Sequence, residues 1–129
     1  MGKRSRRRAA GNGGVRPDKL TAPTSEYTDA DGATLTLRGA LTAATRREYA
    51  DALAGVGGRV SATREDTWQR ATELLFERLA VSWTIAGAPI SGQHELLMRY
   101  RAGSPDERAW IRDVLREHCA ENFPDMQAP

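Results

Sequence analysis

A chain of 129 residues with 40% apolar and 28% charged side chains has the size and composition of one globular domain. No apolar run approaches the roughly 18 to 20 residues that a membrane span needs, and none follows the basic start as a secretory signal requires, so we expect a cytoplasmic protein. Its single Cys119 cannot form an internal disulfide, which agrees with a reducing compartment.

The net charge of +2 is unevenly distributed along the chain. Residues 1–19 hold seven basic residues against the one acidic residue Asp18, which leaves +6, whereas the rest holds twelve Arg against sixteen acidic residues, which leaves −4. Such an arm supplies about four or five phosphate contacts, enough for weak, salt-sensitive binding without sequence preference. The predicted nucleic-acid contacts are Lys3, Arg4, Arg6, Arg7 and Arg8.

The basic arm has too little apolar surface to offset the entropy of ordering it. We therefore expect residues 1–24 to be disordered, followed by a single α-rich domain over 25–124 and a short tail over 125–129. Three interpretations of the arm remain open: a solubilising tail, a segment that faces nucleic acid or the ribosome, or a contact with an anionic membrane surface.

The first predicted element is a short β-hairpin. Asp31-Gly32 is a strong turn signal, and the following Thr34–Arg38 alternates polar with apolar residues, so this segment is expected to pair with Glu26–Thr28. The same turn resembles part of a calcium-binding EF-hand loop. That interpretation fails, because Tyr27 and Arg38 would stand where the loop needs a carboxylate and a bidentate Glu.

Four helices are predicted after the hairpin. Thr42 caps the first, which runs over 43–54. The second starts near Thr63 and continues to Ala86, because its apolar residues recur at helical spacing. The face that they define consists of Trp68, Ala71, Thr72, Leu75, Leu79, Ser82, Trp83 and Ala86.

The third helix is predicted to start at Ser91 and to end at Gly103. Ser104 then caps a fourth helix that extends to about Glu121, with Glu107 expected to bond back to the Ser104 N–H. The predicted fold is therefore mainly α, a compact four-helix domain with a short N-terminal β-hairpin and a disordered basic arm.

The titratable residues of the sequence predict no enzyme, no cofactor and no metal site. His118 and Cys119 are neighbours on one helix and point about 100° apart, so they do not form a base and nucleophile pair by themselves. His94 would have to approach them, and whether it does is left open. No Gly-rich segment carries the Lys and Ser or Thr of a phosphate-binding loop.

The tryptophans are interpreted as core residues, with a partner-binding groove as the alternative. The candidate partner contacts are Trp68, Trp83 and Trp110. The apolar width of the helix that bears Trp68 and Trp83 also leaves a homodimer open.

Three stretches carry a resemblance to known proteins: "EYTDADGATLTLRGALT", "RATELLFERLAVSWTIAG" and "ERAWIRDVLREH". They resemble small uncharacterised proteins of GC-rich bacteria, which implies no activity. A hairpin followed by a helical body is also similar in plan to the tail-assembly chaperones of long-tailed phages. From these observations we expect a non-enzymatic protein-binding or adaptor module with a basic arm; an assembly chaperone and, third, an enzyme are the alternatives.

Overall fold

The structure is a computed structural model that describes residues 23–127 and residue 129. The basic arm predicted over residues 1–24 lies outside the described residues except for its last two positions. In chain order the elements are β1 (Thr24–Thr28), β2 (Thr34–Arg38), α1 (Ala43–Leu53), α2 (Arg64–Leu79), β3 (Ala80–Ile85), β4 (Ala88–Ile90), α3 (Gln93–Ala102) and α4 (Pro105–Asn122). No helix in this part of the chain has the length and apolarity that crossing a bilayer requires.

The predicted N-terminal hairpin is present as β1 and β2, which pair antiparallel along all five residues of each strand. Its turn is stabilised by Asp29, whose Oδ1 accepts hydrogen bonds of 2.9 Å from the backbone N–H groups of Asp31 and Ala33. Gly32 completes the reversal at φ +89°, in the left-handed region that Gly adopts without a steric penalty. Local turn chemistry therefore determines this hairpin.

The predicted second helix is wrong beyond Leu79. At Ala80 the backbone becomes extended, with φ −69° and ψ 127°, and the chain continues as β3. This strand pairs antiparallel with β2, so that Trp83 lies opposite Leu35. With β4 added, the sheet has four antiparallel strands in the order β1-β2-β3-β4. The fold is therefore α+β and not mainly α, because the sheet is a full layer of the domain rather than a short hairpin.

β2 pairs with β1 along one edge, and the need to pair its other edge explains why α2 ends at Leu79. Buried backbone N–H and C=O groups need partners, and residues 80–85 supply them to β2. The segment also suits a strand, since Val81, Thr84 and Ile85 are β-branched and Trp83 is aromatic. Its apolar residues nevertheless continue the helical spacing of α2, so periodicity alone favoured the wrong element.

A two-residue turn, Ala86-Gly87, joins β3 to β4. Both residues have positive φ, +52° and +79°, as in the type I′ turns that fit the twist of a hairpin. Ala86 lies in the left-handed region at a cost of about 1–2 kcal/mol relative to its usual conformations. Gly87 is the second residue of this hairpin turn.

Three of the helices begin at the predicted caps. Thr42 caps α1, and Thr63 forms a reciprocal capping box with Asp66 at the start of α2. Ser104 Oγ accepts from the Glu107 N–H at 3.1 Å and so caps α4. These contacts satisfy backbone donors that the first helical turn leaves unpaired.

Two details of the predicted caps differ. The residue before α3 is Gly92 rather than Ser91, and it makes no side-chain cap bond. The carboxylate of Glu107 does not bond back to the Ser104 N–H, because it forms two hydrogen bonds of 2.6 and 2.9 Å with the guanidinium of Arg99. An ion pair thus connects α3 to α4.

The helices cover one face of the sheet and leave the other face polar. Leu35 and Leu37 of β2 and Trp83 of β3 are fully buried against the helices. The opposite face carries half-buried hydroxyl groups on the same two strands, from Thr34, Thr36, Ser82 and Thr84. The largest fully buried side chains are Trp83, Tyr49, Phe76, Phe123, Leu35, Leu37, Leu75, Leu79, Leu96, Ile111, Leu115 and His118.

The C-terminal residues return to the body of the protein. Phe123, directly after α4, is fully buried. The Tyr49 hydroxyl donates to the carbonyl oxygen of Gln127 at 2.8 Å, and Arg116 Nε donates to that of Pro129 at 3.4 Å. The segment predicted as a tail over 125–129 therefore contacts both α1 and α4.

Candidate functional site

A partly buried polar cluster joins the N-terminal hairpin to α4, and we name it the His118 cluster: Tyr27, Arg38, His118 and Asn122. His118 Nε2 lies 2.6 Å from the carbonyl oxygen of Arg38, and Nδ1 lies 2.8 Å from the Tyr27 hydroxyl. Because a carbonyl oxygen only accepts, Nε2 carries the proton and Nδ1 accepts from Tyr27. Neutral His118 thereby bonds α4 to both strands of the hairpin.

Burial determines the protonation of this cluster. Loss of hydration lowers the pKa of His118 from its ordinary value, and the opposing effects of the Arg38 carbonyl and of Glu121 and Glu117 are smaller. Burial, followed by the same two carboxylates, raises the pKa of Tyr27 to about 12. Both side chains are therefore uncharged at neutral pH.

Cys119 adjoins His118 in sequence but is not activated by it. The thiol is almost fully buried, and burial raises its pKa to about 11. A thiol with this pKa remains protonated at neutral pH, whereas nucleophilic cysteines react as thiolates in partly exposed, electropositive surroundings. The pair therefore provides no exposed nucleophile.

His94 lies in a different environment from the other two candidate residues. It is exposed in the first turn of α3, while His118 and Cys119 are buried in α4. The three side chains therefore do not line one open pocket. Across the described residues, no three His, Cys, Asp or Glu side chains form a group that could hold a metal ion.

The three tryptophans do not form one partner-binding groove. Trp83 is fully buried beneath the guanidinium of Arg99, which lies 5.1 Å from its ring, so Trp83 meets no partner in the folded protein. Trp68 and Trp110 are half-buried. The guanidinium of Arg112 lies 5.4 Å from the Trp68 ring. Trp68 belongs to α2 and Trp110 to α4.

Most arginines of the folded body are bound within it. Of the twelve beyond residue 19, nine contact a carboxylate, a backbone carbonyl or an aromatic ring. These nine are Arg38, Arg46, Arg70, Arg78, Arg99, Arg101, Arg108, Arg112 and Arg116. The other three, Arg47, Arg59 and Arg64, are exposed. The cations of the body therefore mainly stabilise its own fold.

The predicted nucleic-acid contacts Lys3, Arg4, Arg6, Arg7 and Arg8 lie outside the described residues. In the sequence these five cations fall within six positions, ahead of a body with an excess of acidic residues.

An open polar cleft of about 300 Å³ lies between the loop after α1 and the first half of α2. Arg70 extends under this loop and donates to the carbonyl oxygen of Val56 at 2.9 Å. The lining combines the cations Arg59 and Arg70 with the anions Asp66 and Glu73. This mixture of charges favours no single class of ligand.

At the level of sequence, the partners of His118 in the cluster were not predicted. Asn122 lies one helical turn later on the same face of α4, and this four-residue spacing was a usable signal. Tyr27 and Arg38 are 91 and 80 residues away, and nothing local connects them to His118.

No known protein family, curated protein or solved structure matches the chain.

Proposed function

We propose that the protein is a non-enzymatic binding module, in which the folded body docks on a protein partner and the basic arm adds weak contact with nucleic acid. The observation that carries the proposal is the separation of charge, with +6 in residues 1–19 and −4 in the rest of the chain. The expected site of action is the cytoplasm, where a free thiol such as Cys119 stays reduced.

The contacts of the body support the arm as the nucleic-acid-binding part. Binding to a phosphate backbone requires several cations that neutralise phosphates together. Nine of the twelve body arginines contact groups of the fold itself, and the net negative charge of the body repels phosphate. Neutralisation of about four phosphates by the arm predicts a slope near −4 for log K against log salt concentration.

The non-enzymatic part of the proposal is supported by the state of the titratable groups. His118 is buried and neutral, Cys119 is buried and protonated, and His94 is exposed on another helix. A general base or nucleophile must instead reach the substrate with a pKa suited to the working pH.

The test is a titration of labelled duplex and single-stranded DNA with the full chain at low salt. One variant replaces Lys3, Arg4, Arg6, Arg7 and Arg8 with Gln, and the matched control replaces the exposed body residues Arg47, Arg59 and Arg64 with Gln. We expect the arm variant to lose at least tenfold in affinity, while the control keeps most of it. Equal binding by both variants, or no binding by the wild-type chain at low salt, would contradict the proposal. Anionic vesicles in the same assay test the membrane interpretation.

An assembly chaperone of the phage-tail type is the second candidate. The favouring observation is the order of the fold, in which the β1–β2 hairpin precedes the helices, although β3 and β4 add a second hairpin to that plan. Co-expression with an aggregation-prone tail subunit tests it. Recovery of a soluble complex is expected, and failure to retain any such client would exclude this function.

A further inference from the structure

We propose that protonation of His118 releases one edge of the sheet. When His118 takes up a proton, edge strand β1 detaches from α4 while β2 and the helices stay in place. This inference does not depend on what the basic arm binds.

The hydrogen bonds show why a proton disturbs β1 in particular. Nδ1 of His118 accepts from the Tyr27 hydroxyl of β1, and Asn122 Nδ2, a second donor, lies 3.3 Å from the same nitrogen. A proton on Nδ1 turns this acceptor into a donor, so the Tyr27 hydroxyl must rotate to accept from it, and Asn122 Nδ2 then faces a second donor. The bond from Nε2 to the Arg38 carbonyl survives, because that nitrogen donates in both states.

The position of β1 makes it the element that moves. An imidazolium needs hydration, since burial of an unpaired charge is costly. β1 is paired on one side only, with β2, and Tyr27 is half-buried. The carbonyl of Arg38 belongs to β2, which is paired on both sides and carries the fully buried Leu35 and Leu37. Withdrawal of Tyr27 is therefore the least disruptive way to admit water to the ring.

The charged groups around the ring come from several elements. Glu117 and Glu121 of α4 favour the imidazolium, and Cys119 beside it is neutral. On the α1 side, the Phe123 ring lies 6.0 Å from the His118 ring, and the guanidinium of Arg46 lies 5.2 Å from the Phe123 ring.

The side chain of Arg38 on β2 donates to the carbonyl oxygens of Arg78 and Ala80.

The sign of the pH dependence follows from the pKa of His118. Desolvation affects this pKa more than the carboxylates of Glu117 and Glu121 do, so in the folded state it lies below the ordinary value of 6.5. The unfolded or detached state thus binds the proton more tightly, and the attachment of β1 is at full strength above about pH 6.5 and weakens as the pH falls below it.

The experiment is amide hydrogen exchange of the full chain at pH 7.5 and pH 5.0, corrected for the intrinsic effect of pH on exchange. We expect protection of residues 24–28 to fall at least tenfold at pH 5.0, while α2 keeps its protection. His94→Gln is the matched control, because it removes the exposed histidine, and it should behave as the wild type does.

Two variants locate the effect. His118→Gln provides a neutral amide in place of the ring and should abolish the pH dependence of β1. If that variant does not fold, Tyr27→Phe removes the hydroxyl and should lower the protection of β1 already at pH 7.5. Unchanged protection of β1 at pH 5.0, an equal loss in α2, or a pH dependence that persists in His118→Gln would overturn the proposal.

Discussion

Replacement of Trp83 by Ala tests whether this side chain lies at the centre of the core. Truncation of a buried Trp costs about 3–5 kcal/mol. At this site the loss includes the edge-to-face contact with Phe76, whose ring centroid is 6.1 Å away. It also includes the cation–π contact with the Arg99 guanidinium, which lies 5.1 Å from the Trp83 ring.

One feature of Trp83 reduces the expected loss. Its Nε1–H is buried and has no hydrogen-bond partner among the described residues, and an unpaired donor of this kind costs about 1–3 kcal/mol. Removal of the indole relieves that cost. We therefore expect a loss of about 3 kcal/mol for Trp83→Ala, a large share of the roughly 5–15 kcal/mol that a domain has in total. Trp83→Phe keeps a ring and removes the N–H, so its cost should be about 1 kcal/mol.

The assay is urea denaturation of each variant, followed by circular dichroism, with the free energy of unfolding extrapolated to water. Trp68→Ala is the matched control, because Trp68 is half-buried on the helical part of the same apolar pattern. Its expected cost is about 1 kcal/mol, typical of a single substitution outside the core. A cost for Trp68→Ala equal to that for Trp83→Ala would refute the placement of Trp83 in the core, and so would an equal cost for the Phe and Ala variants at position 83.

Three further predictions concern single residues. Ser104→Ala removes the cap that accepts from the Glu107 N–H and should lower the free energy of unfolding by about 1 kcal/mol in the same urea assay; an unchanged value would show that the cap is dispensable. In the β3–β4 turn, Ala86→Asn should raise the melting temperature and Gly87→Ala should lower it, each by the equivalent of about 1 kcal/mol, since both residues have positive φ; the opposite signs would contradict the type I′ turn. Cys119 should react with a thiol reagent at pH 8 roughly 100-fold more slowly in the native than in the unfolded protein, because its thiol is buried and its pKa is raised to about 11; rapid native labelling would disprove this.

Local sequence signals were sufficient to predict the elements whose hydrogen-bond partners lie within a few residues. The hydroxyl oxygens of Thr63 and Ser104 accept from backbone N–H groups three residues later, so the starts of α2 and α4 can be predicted without tertiary structure. The β1–β2 hairpin is readable for the same reason, because its turn is closed by Asp29 and Gly32. The charge of the arm is likewise a property of the sequence alone.

Tertiary contacts decided the fold class and the His118 cluster. Residues 80–85 satisfy both the spacing of a helix and the composition of a strand, and the unpaired edge of β2, more than 40 residues earlier in the chain, selected the strand. The Glu107 carboxylate had a local donor in the Ser104 N–H but binds Arg99 instead, because the packing of α3 on α4 brings the guanidinium within 2.6 Å. Tyr27 reaches His118 across 91 residues for the same reason. Short-range hydrogen bonds are encoded by neighbouring residues, whereas a choice between two locally acceptable structures depends on which distant groups would otherwise be buried without a partner.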